Sequence, residues 1–299
     1  MDSEQQSRLD QFLNHIQYER QLSHHTVSNY SRDLINFLKY CNNHDLSAWQ
    51  QVKDNDVRAY AGYRHRGGLQ GRSIQRELSS IRRFYEYLLR EGRVRNNPVM
   101  GVHAPKSAKK LPTPVDVDQM AQLLNIESQD ALSIRDWALM ELLYSSGLRL
   151  MEVTALNIDG VDLEDRVVTV KGKGNKTRVV PVGKAACHSL QVWLKVRDQF
   201  AKDNEQALFV SNRGTRISHR AVQQRLRYWG IKQGIDGNLH PHRLRHSFAS
   251  HILESSGNLR AIQELLGHAD ISTTQIYTHV DFQQLAKVYD KAHPRARKS

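Results

Sequence analysis

The chain is poor in cysteine. Cys41 and Cys187 are its only two, far apart and without a CxxC neighbour. That excludes a disulfide framework and a zinc ribbon and fits a reducing compartment. No run of 18 apolar residues occurs, so no membrane-spanning helix is expected. The opening MDSEQQSRLDQF has no basic segment leading into an apolar run, so no signal peptide is expected and the cytoplasm is the expected location. Acidic residues are also scarce. Lys and Arg number 43 against 31 Asp and Glu, for a formal charge of +12. The surplus is spread out, +5 in residues 1–107 and +7 in 108–299, so it is not confined to a tail. Such a balance favours a polyanionic partner, most simply nucleic acid. There is no internal repeat and no low-complexity tract.

What is present reads as two domains joined by a connector. Residues 1–100 carry helical periodicity: Leu9, Phe12, Leu13 and Ile16 in one stretch, and Val27, Tyr30, Leu34, Phe37 and Leu38 after a Ser23 cap. A third helix is expected from Asp54 or Asp56. A fourth, RSIQRELSSIRRFYEYLLREG, carries Ile74, Leu78, Ile81, Tyr85 and Leu88 as a core stripe, with Arg72, Arg76, Arg83 and Arg90 off it. Basic outward faces on four helices suit a clamp on a duplex backbone; the alternative is an ordinary solvated surface. Residues 101–116, with three of the chain's seven prolines and three lysines, have linker composition. Residues 117–299 begin with helices in DVDQMAQLLNI, SIRDWALMELLYSSG and LRLMEVTALNI. The period then changes to two in DRVVTVKGKGNKTRVVPVG, a β-hairpin, and helices are expected from about 184 to the end. The expected fold is mainly α with a small β-hairpin or sheet (α+β).

The chemistry concentrates in HPHRLRHSFASH, residues 240–251. His242 and His246 share a helical face, as zinc ligands can, but Arg243 and Arg245 lie between them and would repel a divalent cation. A phosphate site fits better. His242 and Arg245 lie i, i+3 near a helix start opened by Pro241, and a guanidinium forks onto phosphate oxygens. One HxxR pair is common by chance and needs partners. Arg149 follows Gly147 at a helix start, with Glu152 as a local counter-ion. Lys173 sits in the hairpin turn, His268 follows the Gly267 helix stop, and Tyr277 lies nine residues on. Singly these read equally well as a structural ion pair, a solvated turn lysine, a capping histidine and a core tyrosine.

The ordered set Arg149, Lys173, His242-x-x-Arg245, His268, Tyr277 resembles the tyrosine site-specific recombinases, the phage integrase family. GLRLMEVTAL and HPHRLRHSFASHILESSGNLRAIQELLGHADISTTQIYTHV are similar to its Xer branch. The resemblance spans essentially the whole chain and is more specific in the second half. It implies an N-terminal core-DNA-binding domain at 1–100, a linker at 101–116 and a catalytic domain at 117–299 that ends in a partner-docking helix. It further implies cleavage and rejoining of duplex DNA through a 3′-phosphotyrosyl bond on Tyr277, without metal, ATP or other cofactor. Arg149 and Arg245 are expected to clamp the phosphate and His268 to add a donor. Lys173 is expected as general acid, and His242 as proton acceptor or second donor. The implied partners are a duplex recombination site, a XerD-like recombinase in a heterotetrameric synapse and a DNA translocase at the septum, for resolving chromosome and plasmid dimers during division. Met151 stands where relatives commonly carry a small serine, at a position without a catalytic role. A phage-type integrase or a nicking topoisomerase would share this set, and a non-catalytic DNA-binding protein would share the charge.

Overall fold

The computed structural model describes residues 3–20, 22, 24–106, 114–127, 130–172, 177–235 and 237–256. The chain divides into two compact units, Met1–Lys110 and Leu111–Ser299. No helix among the described residues is long and apolar enough to cross a membrane.

The first unit contains α1 (Ser3–Asn14), α2 (His24–Asn42), α3 (Asp54–Arg66) and α4 (Gly71–Arg90). Leu9, Phe12, Leu34, Phe37, Ile74, Leu78, Ile81, Tyr85 and Leu88 are buried, while Arg72, Arg76, Arg83 and Arg90 are exposed, as the periodicity of α4 predicts. Ser23 lies outside the described residues. A π-helical turn over His15–Glu19, absent from the sequence reading, extends α1. Buried acids pin the helices to each other. Arg64 on α3 donates to Glu77 on α4 from Nε (2.9 Å) and Nη2 (2.7 Å), and the Tyr60 hydroxyl adds a third bond at 2.8 Å.

The second unit holds α5 (Val117–Leu124), α6 (Ala131–Ser146), α7 (Leu150–Ala155), α8 (Lys184–Arg197), α9 (His219–Lys232) and α10 (Pro241–Ser256). An antiparallel sheet in the order β1 (Val161–Asp162), β2 (Val167–Lys171), β3 (Thr177–Pro181) lies between α7 and α8. The β2–β3 pair is the predicted hairpin; β1 is a two-residue addition that alternation could not reveal. Helix ends follow cap chemistry. Asp116 accepts the Gln119 amide at 2.8 Å and Asp130 the Ser133 amide at 3.0 Å. α6 stops at Gly147, which adopts φ 55°. α6 is buried almost all round and forms the centre of this core. Its Asp136 accepts Trp229 Nε1 (2.9 Å) and Arg135 Nη2 (2.7 Å), and it pairs with Arg225 of α9.

One expectation needs adjustment. Helices do not run unbroken from 184: residues 198–218 are irregular, with bridges Asn157–Ala207 and Val210–Arg216. The segment keeps its shape through buried arginine, since Arg197 donates from Nε (3.0 Å) and Nη2 (2.7 Å) to the Ala207 carbonyl. The division between the units, after Lys110, falls in the proline- and lysine-rich stretch, whose described ends each bury one valine. Val102 is buried in the first core and Val115 in the second.

Gly214 closes the turn in this irregular segment at φ +76°, and a Cβ there would lie 2.3 Å from the Phe200 carbonyl oxygen. Gly214→Ala is expected to destabilise the second unit by roughly 2–4 kcal/mol in chemical unfolding. A variant as stable as the parent would contradict that geometry.

Candidate active site

Three of the six residues picked out by motif lie within the described structure: Arg149, His242 and Arg245. Lys173, His268 and Tyr277 lie outside the described residues. The three that are described come from two helices, α7 and α10.

Arg149 is the N-cap of α7, whose six residues are too few to be stable alone. The helix is held at both ends by long-range arginines. At its C-terminal end, Arg216 Nη1 donates to the carbonyls of Thr154 (2.9 Å) and Leu156 (3.0 Å). At its N-terminal end the anchor is Glu152. This carboxylate is only 4% exposed and accepts four donors. Oε1 takes Arg149 Nη1 at 3.0 Å and Arg178 Nη1 at 2.7 Å. Oε2 takes the Arg149 amide at 2.8 Å and Arg178 Nη2 at 3.0 Å. Burial by itself would raise the Glu152 pKa. The bonds from Arg178 and from the Arg149 backbone outweigh it and hold the carboxyl below its ordinary value.

Arg245 reaches this assembly from α10. Leu244, Phe248 and Ile252 seat that helix on the core. Tyr144 Oη and His251 Nδ1 share a hydrogen bond of 2.8 Å, and the Ser247 hydroxyl accepts the Val115 amide at 2.8 Å. His240 caps the helix ahead of Pro241, with its Nδ1 accepting the Arg243 amide at 3.2 Å. So placed, Arg245 donates from Nη1 to the Gly147 carbonyl, in the turn that leads into Arg149. Its pKa is pushed down to about 10, first by burial and then by the charge of Arg149; Glu152 opposes the shift and Arg178 adds to it. Arg245 therefore stays protonated at neutral pH while crowded by like charge. His242 is exposed, one turn ahead of Arg245 on α10. Two guanidiniums thus share one carboxylate and a third, that of Arg245, lies beside the turn into Arg149, an electropositive arrangement suited to an oxyanion.

Arg178 was missed in the sequence. The signal was there: in Thr177–Pro181 it shares the strand face of Val180, and it pairs across the sheet with buried Val170. An arginine at an inward strand position requires a buried acid nearby.

Residues 114–284 match the model of the phage integrase family, and residues 9–92 match that of its N-terminal SAM-like domain. The chain is 50% identical to the tyrosine recombinase XerC of Alcanivorax borkumensis, covering 100% of this chain and 98% of that protein. It is 51% identical to tyrosine recombinase XerC of Pseudomonas aeruginosa, over 97% and 95% of the two chains. Its fold is similar to the XerH site-specific recombinase bound to difH in a post-cleavage complex (TM-score 0.70, 22% identity, 95% of this chain and 84% of that one). It is likewise similar to the Tn1549 transposon integrase in complex with a circular intermediate DNA (TM-score 0.72, 17% identity, 94% of each chain).

The Glu152 network carries a sign that pH can read. Its carboxyl has a depressed pKa in the fold against 4.5 ordinarily. Its contribution to stability is therefore complete above the unfolded value and disappears as pH falls through the folded one. Glu152→Gln is expected to lower stability at pH 7 by about 1–3 kcal/mol and to flatten the acid limb of the stability–pH curve. Parallel curves for parent and variant would refute this assignment.

Proposed function

The chain belongs to the phage integrase family, and from that premise we propose that it is a XerC-type tyrosine recombinase, cleaving and rejoining duplex DNA through a 3′-phosphotyrosyl intermediate. Relatives of that name at about half identity over nearly the whole length support the activity. The closing segment DFQQLAKVYDKAHPRARKS resembles the XerC type as well. We extend the reading to the resolution of chromosome and plasmid dimers in the cytoplasm during division, with a XerD-like recombinase in a four-subunit synapse and a DNA translocase at the septum.

The single structural observation behind this reading is that Arg149 and Arg178 share one buried carboxylate while Arg245 reaches the Gly147 carbonyl, two residues before Arg149. In the proposed reaction the Tyr277 oxygen attacks phosphorus, a P–O bond to Tyr277 forms and the P–O5′ bond breaks. The phenol proton goes to His242 as acceptor. Lys173 delivers a proton to the departing 5′-oxygen. Charge accumulates on the non-bridging oxygens, which Arg149 and Arg245 clamp, with His268 as a further donor. A phenol is a workable nucleophile and a workable leaving group, so the covalent bond stores the link until another 5′-hydroxyl reverses the attack.

A nicked suicide duplex incubated with the protein in EDTA tests this. A covalent adduct is expected on a denaturing gel, with none from Tyr277→Phe and about 10²–10³-fold slower formation from Arg245→Ala. An adduct from Tyr277→Phe would identify another nucleophile. Retardation on a native gel without any adduct would favour a non-catalytic DNA-binding protein. Lys173→Ala should recover activity on a 5′-bridging phosphorothiolate, whose leaving group needs no proton; failure to recover would remove the general-acid role.

A further inference from the structure

We infer that Arg178 is a positioning residue: it immobilises the Glu152 carboxylate, which in turn fixes the direction of the Arg149 guanidinium toward an anion. The inference rests on reading Arg149 as an anion-binding group.

The hydrogen-bond pattern assigns the parts. Arg178 covers both carboxylate oxygens of Glu152 with a two-pronged contact, 2.7 Å and 3.0 Å, whereas the Arg149 side chain meets that carboxylate at Oε1, 3.0 Å away. A bidentate guanidinium–carboxylate pair fixes the plane of both partners. Arg178 thus sets the plane of the carboxylate, and Arg149 orients on a surface already fixed. Exposure agrees: the Arg178 side chain is 23% exposed and that of Arg149 40%, so Arg149 is the more exposed of the two arginines on Glu152. Arg178 also depends on this pairing. Its Nε is buried and finds no hydrogen-bond partner among the described residues, so Glu152 is the acceptor that makes its burial tolerable.

The location adds a second consequence. Arg178 lies on β3, in the hairpin whose turn contains Lys173 in the sequence, while Glu152 lies on α7 behind Arg149. One ion pair therefore joins the strand that follows the proposed proton donor to the helix that bears the proposed clamp.

The test is a double-mutant cycle of Arg178→Met, Glu152→Gln and both together, read as single-turnover adduct formation at saturating nicked duplex. Arg178→Met should slow the adduct step by about 10–100-fold, the loss typical when a supporting outer ligand is removed. Its affinity for duplex on native gels should stay within about twofold, because many phosphate contacts share that energy. Because the two residues act as one unit, the double variant should lie within about threefold of the slower single variant. Arg178→Lys, with one point donor instead of a fork, should fall between parent and Arg178→Met. Adduct formation by Arg178→Met at the parent rate, or a double loss equal to the product of the single losses, would overturn the inference. Thermal unfolding of each variant identifies any that fail to fold, and Arg178→Lys then carries the test. A separate measurement needs no catalysis: inorganic vanadate at low concentration should raise the parent's melting temperature, and Arg178→Met should blunt that rise as Arg245→Ala does. A parent without adduct but with an Arg178-dependent vanadate shift would sink the recombinase reading and leave the inference standing. An adduct-forming parent whose vanadate shift ignores Arg178 would do the reverse.

Discussion

A carboxylate taken out of water must be matched by donors, or the fold loses several kcal/mol for each such charge. That constraint organises both units of this protein. Glu77 is held by Arg64 and Tyr60 in the first unit, Asp136 by Arg135, Arg225 and Trp229 in the second, and Glu152 by Arg149 and Arg178 at the site. In each case donor and acceptor come from different elements, apart from the neighbour Arg135 and the N-cap Arg149. Apolar burial brings those elements together without direction. The acids then select one register, because a shift of one residue would leave a charge buried alone.

The same accounting changes what the net charge means. A surplus of basic residues points to a polyanion, yet a good share of the arginines are spoken for internally. Arg197 satisfies the Ala207 carbonyl, Arg216 ends α7, Arg135 and Arg225 neutralise Asp136, and Arg178 neutralises Glu152. The basic residues left for an anion are thus a subset that counting alone cannot define. Arg245 stands apart in its surroundings: burial and the neighbouring Arg149 charge depress its pKa, and one carboxylate only partly offsets them.

Legibility in the sequence followed the range of the interaction. The stripe of α4 and the β2–β3 hairpin depend on residues a few positions apart and are read locally, whereas the cap at Asp130, equally local, was passed over. The belonging of Arg149 and Arg245 to one set came from their order and type along the chain, not from periodicity. What else escaped reading depends on partners far away in sequence. The irregular stretch 198–218 has no period because arginine-to-carbonyl bonds, not a repeating ladder, shape it. Arg178 was passed over because alternating valines explained the hairpin, and the acid that gives it meaning sits 26 residues earlier. An inward-facing charge in an otherwise apolar strand is a reliable sign of such a partner.

The crowding of like charge around Arg245 gives the site its direction of action. That guanidinium is protonated against the opposition of burial and of Arg149 and Arg178, with Glu152 as the opposing charge. An anion between Arg149 and Arg245 would lift the opposition, and more so as its own charge grew. A phosphate gaining charge on its non-bridging oxygens would thus be held more tightly than the resting diester, which is the differential binding that lowers a barrier. Glu152 cannot be moved closer to supply that compensation itself, because Arg178 and the cap of α7 already occupy its four acceptor positions. The pair formed by Glu152 and Arg178 therefore does more than stabilise a short helix: in the proposed reaction it backs the arginine that would clamp the anion.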